Sequence, residues 1–205
     1  MPANRQTTHN ITKLEQQNEL VIECEDPSTG QPLEREAADG LAACQRYVVE
    51  AAAAFPAWST TPVGERSALL IKLAEALLAK HDELRTAMMR EIGTTAYWAD
   101  HNINYAAELL REVTTYADEL EQADVITDSD NVVSRAERVP CGVCLGIAPW
   151  NAPLILGVRS IATPLLCGNT VLLKGNEVAP RVFRILGESI AEAGFPAGVA
   201  KVFIN

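Results

Sequence analysis

The stretch from TVLLK to AKVFIN constrains the fold more than any other part of the chain. Thr170–Lys174 is a short apolar run bounded by polar residues, the pattern of a strand covered on both faces in a parallel sheet. Pro180 then opens a helix with Val182, Phe183, Leu186, Ile190 and Ala193 on one face, and Gly194 and Pro196 close it. AKVFIN reads as a second strand. Strand, helix and strand at this spacing form a βαβ unit, so the expected class is α/β.

Upstream, the pattern divides the chain at residues 18, 130 and 145. Residues 1–18 are polar and aperiodic, and are expected to be a loose tail. LVIECEDPSTGQPLERE reads as a hairpin, with Pro27, Ser28 and Gly30 supplying turn chemistry. From Ala37 to Gln122 the spacing is helical. Ala38, Leu41, Ala42, Val48, Val49 and Ala52 mark a first apolar face that Phe55, Pro56 and Trp58 end; Thr61-Pro62 starts the next helix. Leu70, Leu73, Ala74, Leu77 and Leu78 follow, then Leu84, Ala87 and Met88 up to Gly93, then Ile103, Ala106, Leu110 and Val113. These stripes are assigned to the core and given no chemistry. Residues 131–145 read as an extended ribbon broken by Pro140 and Gly142, and a helix is expected from Leu154 to Leu166 despite Pro164.

Charge and composition remove several function classes. The net charge of -10 and pI of about 4.8 leave little from which to build the basic face a nucleic-acid binder needs. No apolar run is long enough for a bilayer, and MPANRQTTHN has no secretory h-region. Five scattered cysteines, Cys24, Cys44, Cys141, Cys144 and Cys167, fit free thiols in a reducing compartment rather than a disulfide framework. The expected location is cytoplasmic.

Two places could carry chemistry. Lys174 ends a strand and Glu177 follows three residues later. Ligands of βαβ sheets bind beyond the carboxyl ends of the strands, where an ammonium and a carboxylate could hold ribose hydroxyls; a solvated ion pair would look the same. The segment is not a Walker A loop, because Leu173 precedes the lysine and Gly175 follows it. In IAPWNAPL, Asn151 lies between two prolines that restrict the backbone. A fixed amide N–H there could stabilise an oxyanion; a turn asparagine bonded to its own backbone is the plainer alternative. CGVC, Cys141 to Cys144, has redox spacing but LGIAPW follows it rather than a helix. His9, His81 and His101 are dispersed, and no metal-ligand cluster is visible.

Together, VPCGVCLGIAPWNAPL, ATPLLCGNTVLLKGNEVAP and AEAGFPAGVAKVF resemble the aldehyde dehydrogenase superfamily, with DPSTGQPL and AAFPAWSTTPVGER in the same order upstream. The resemblance covers roughly residues 20 to 205. It implies NAD(P)⁺-dependent oxidation of an aldehyde to an acid, with a cysteine thiolate as nucleophile and a glutamate-activated water. On this resemblance Asn151 is the oxyanion donor, Lys174 and Glu177 bind the adenosine ribose, and Ile147, Ala148, Pro149 and Trp150 line the cofactor site. Glu177 favours NAD⁺, with NADP⁺ left open. The ribbon at 131–145 resembles an oligomerisation hairpin, which implies a homo-oligomer in the full-length form, and VRSIATPLLCGNT resembles the branch acting on aromatic aldehydes. KGNE stands where K-P-S-E is frequent, and Ala179-Pro180 lacks the threonine that usually caps the next helix. The Rossmann-like sheet is expected to be incomplete and the catalytic domain absent, since none of the five cysteines sits in a nucleophile's context. The chain is thus expected to be an N-terminal fragment inactive alone, or else a non-catalytic partner of full-length subunits.

Overall fold

The computed structural model describes residues 11–13, 20–121, 124–129 and 132–205. Strands β1 (Ile11–Lys13), β2 (Leu20–Ile22) and β3 (Glu36–Ala37) form a small antiparallel sheet in that order. Residues 11–13 are therefore paired with β2, where the sequence suggested a loose tail; the rest of the expected tail lies outside the described residues. The DPSTG turn folds back as anticipated. Asp26 accepts the amide of Ser28 through its side chain and that of Gly30 through its carbonyl, and Glu25 bridges Pro32.

Helices α1 (Leu41–Ser59), α2 (Val63–Ala79), α3 (His81–Ile92), α4 (Ala96–Thr114) and α5 (Ala117–Glu121) follow. The α2 stripe Leu70, Leu73, Ala74 and Leu77 and the α4 stripe Ile103, Ala106 and Leu110 are fully buried in one core. Pro62 sits at the N-cap of α2 rather than at its first helical position.

The expected face of α1 is overturned. Leu41 and Val49 are 76% and 68% exposed, and the helix buries Tyr47, Ala51 and Trp58 instead. Tyr47, Ala51 and Trp58 also recur at helical spacing, and alanines at 51–54 make one side of the helix as apolar as the other. The sheet beneath selects the side with the aromatic rings. Pro56 does not end α1, which runs three residues further.

The ribbon expected at 131–145 is two different things. Strands β4 (Asp124–Ser129) and β5 (Val132–Ala136) pair as an antiparallel hairpin with an irregularity between Val125 and Thr127. β6 (Val143–Ile147) instead belongs to a parallel sheet with β7 (Thr170–Lys174) and β8 (Ala200–Phe203), in the order β6-β7-β8. The connections are α6 (Pro153–Leu166) and α7 (Pro180–Glu192). Val171 and Leu173 of β7 face the core shared with α6 and α7, whereas Leu172 packs with Phe203 against Tyr47 and Ala51 of α1. The sheet is thus covered on both faces, which is why TVLLK is apolar without alternation. Among the described residues β8 pairs on one side only, and β6 forms the other open edge. Among the described residues no helix is long and apolar enough to cross a membrane.

Candidate nucleotide-facing site

Parallel register brings the two chemical stretches together. Ile147, the last residue of β6, lies opposite Lys174, the last residue of β7, and Lys174 lies opposite Phe203 of β8. Neighbouring strands are about 4.8 Å apart, so the P-W-N turn and the Lys174 segment leave the same carboxyl edge side by side. The Ala148 amide donates to the Lys174 carbonyl at 3.1 Å, and the Gly175 amide to the Phe203 carbonyl at 2.8 Å. The pairing therefore continues one residue past each strand and holds the start of both loops.

Lys174 Nζ donates to Glu177 Oε2 at 2.9 Å, with the two side chains 24% and 36% exposed. An ammonium has three donors, and this contact uses one. Gly175 is required where it stands: a Cβ there would lie 2.5 Å from Phe183 Cγ, so the loop crosses the Phe183 ring with no room for a side chain. Asn176 Oδ1 accepts the Val178 amide at 3.0 Å, the local turn that brings Glu177 back beside Lys174. Cys24 Sγ donates to the Glu177 carbonyl at 3.3 Å.

Asn151 is exposed, and among the described residues its side chain makes no hydrogen bond, so the amide does not close a turn on its own backbone. Its carbonyl accepts Trp98 Nε1 from α4 at 3.2 Å. The indole that anchors the turn is therefore Trp98, not Trp150, which is half exposed. Of the other residues assigned to the cofactor, Ile147 and Pro149 are exposed and Ala148 is buried. Prolines begin both α6 and α7, and neither Ala152 nor Ala179 offers a side-chain cap.

Four of the five cysteines are set against acting as nucleophiles. Burial pushes the Cys24 thiol up to about 12, helped by Glu91, Glu36 and Glu177, and burial likewise raises Cys44, Cys144 and Cys167. A reactive thiol needs the opposite shift. Cys141 and Cys144 are free, and the Cys141 and Gly142 amides donate to Asn169 Oδ1 at 2.6 and 3.0 Å. CGVC is thus a tethered entry into β6 rather than the start of a helix.

Sequence reasoning missed three residues that support this edge: Trp98, Asp39 and Glu91. Only Glu91 left a signal. It continues the α3 stripe Leu84, Ala87, Met88 at helical spacing, a carboxylate where an apolar residue is due.

The comparisons with known proteins agree with this geometry. The model of the aldehyde dehydrogenase family matches residues 13–205. A vanillin dehydrogenase of Pseudomonas fluorescens is 42% identical over 184 residues, which cover 90% of this chain and 38% of that protein. The salicylaldehyde dehydrogenase of Pseudomonas putida G7, solved with salicylaldehyde, superimposes with a TM-score of 0.86 at 32% identity. PnpE solved with nicotinamide adenine dinucleotide superimposes with a TM-score of 0.84 at 30% identity. Each of these structures is covered over 38% of its length by 90% of this chain.

Proposed function

The chain belongs to the aldehyde dehydrogenase family, and from that premise we propose that it is the nucleotide-holding part of an enzyme that oxidises an aromatic aldehyde to its acid with NAD⁺. The observation that carries this reading is the register of Ile147 against Lys174. It puts an ammonium–carboxylate pair and the P-W-N turn on one edge of a parallel sheet, the place where such sheets bind nucleotides. Lys174 and Glu177 take the adenosine ribose hydroxyls, and Ile147 to Trp150 form the wall beside them. The Asn151 amide, unbonded and exposed, donates to the oxygen of the aldehyde as negative charge develops on it. Bound NAD⁺ supplies the hydride acceptor. NAD⁺ is assigned over NADP⁺ because the Glu177 carboxylate opposes a 2′-phosphate. Aromatic aldehydes are assigned from the relatives named above.

Titration of the purified chain with NAD⁺, followed by calorimetry, tests the site. Lys174→Ala and Glu177→Ala each remove charge-assisted hydrogen bonds and are expected to weaken binding about 10- to 100-fold. Two variants that bind like the wild type would remove the ribose assignment. In the same preparation, NAD⁺ and benzaldehyde are expected to give no steady-state turnover, because burial raises the thiols of Cys24, Cys44, Cys144 and Cys167 away from the reactive thiolate. Turnover blocked by a thiol reagent would show that one of the five cysteines attacks after all.

A further inference from the structure

Glu91 is buried at the end of α3, and its two carboxylate oxygens accept the backbone amides of Arg181 at 2.7 Å and Val182 at 3.2 Å. These belong to the second and third residues of α7, the donors that an N-cap side chain ordinarily takes. Ala179 has no side-chain acceptor to offer and Pro180 no amide hydrogen. The cap is therefore supplied from 90 residues away in the chain. The Gly175 amide on Phe203 and Cys24 on the Glu177 carbonyl hold the segment after Lys174, and Glu91 holds the first turn of α7 that follows it.

We propose that Glu91 is a positioning residue for the nucleotide, fixing the first turn of α7 so that Glu177 stays beside Lys174. It touches neither cofactor nor substrate. The assignment rests on the reading that Lys174 and Glu177 hold the ribose, and adds the residue that keeps them in place. The acidic wall around it comprises Glu36 of β3, Glu34 before it, and Asp82 and Glu83 of α3, with Arg90 of α3 and Arg181 of α7 as the cations. Arg181 is occupied by Glu83 at 2.5 Å and by Glu188 at 2.9 Å. Desolvation, with a contribution from Glu36, lifts the Glu91 carboxyl to about 8 against the pull of the two amides and Arg181.

The test compares wild type, Glu91→Gln, which keeps the shape and one acceptor, and Glu91→Ala. Amide exchange at Glu177, Val178, Arg181 and Val182 is expected to accelerate about tenfold in Glu91→Ala, the size of a lost N-cap, and less in Glu91→Gln. NAD⁺ affinity should fall in the same order. The carboxyl also binds a proton more tightly folded than unfolded. Its contribution to stability is therefore complete below about pH 4.5 and is lost as pH rises through about 8. The Tm of Glu91→Gln relative to wild type should accordingly rise across that window. Unchanged exchange at Glu177 and Val178 in Glu91→Ala overturns the positioning role. A wild type that binds no NAD⁺ overturns the ribose reading instead, while faster exchange in Glu91→Ala still supports the role of Glu91 in holding the segment.

Discussion

Replacing Phe183 with alanine will lower the stability of the chain by about 3–5 kcal/mol. The ring is fully buried and lies between two glycines. A Cβ at Gly175 would meet its Cγ at 2.5 Å, and a Cβ at Gly157 of α6 would meet its Cε1 at 3.3 Å. The ring therefore fills the space that both glycines leave. With Phe183 cut back, neither neighbour has a side chain to move into the gap, so the cavity persists and the cost sits at the upper end for an aromatic truncation. A domain's whole stability is about 5–15 kcal/mol, so the loss is a large fraction of it. Urea unfolding checks the expectation through a lower midpoint at unchanged m-value. A loss below about 1 kcal/mol would mean that α6 and the β7–α7 loop close over the gap. Because the loop rests on this ring, NAD⁺ affinity should weaken with stability.

Asp39→Ala is expected to cost about 3 kcal/mol, the range for breaking a largely buried, hydrogen-bonded charge. Asp39 joins three elements. Its Oδ1 accepts the Tyr47 hydroxyl of α1 at 2.7 Å; its Oδ2 accepts the Ile204 amide at 2.9 Å and lies 3.3 Å from Arg184 of α7. Its own amide donates to the Ile204 carbonyl. Ile204 is fully buried, so alanine would leave its N–H without a partner. Asp39→Asn keeps an acceptor but loses the charge opposite Arg184, and should cost less. Chemical denaturation of both variants checks the order; equal stability of Asp39→Ala and wild type would show that water replaces the carboxylate.

Much of the carboxyl edge of the parallel sheet was legible because it rests on short-range rules. TVLLK, the helix opened by Pro180 and AKVF appear as β7, α7 and β8 within a residue or two of their expected bounds. Lys174 and Glu177 meet because they stand three positions apart and an Asx turn from Asn176 to Val178 folds the chain at Glu177. The missed elements depend on distant partners. The α1 face was misassigned because two apolar stripes compete on one helix, and only the sheet decides between them. The ribbon at 131–145 was misdivided because extended spacing is the same in a free hairpin and in the first strand of a parallel sheet.

The α/β class, the βαβ unit and the residues at its carboxyl edge follow from strand and helix periodicity and from proline and glycine geometry, which act over a few residues. What holds that edge in place comes from long-range packing. The Asn151 carbonyl on Trp98, the Ile204 amide on Asp39 and the α7 amides on Glu91 span 53, 165 and about 90 residues. A buried donor such as the Ile204 or Val182 amide must find an acceptor wherever the packed chain brings one, and sequence distance does not enter that requirement.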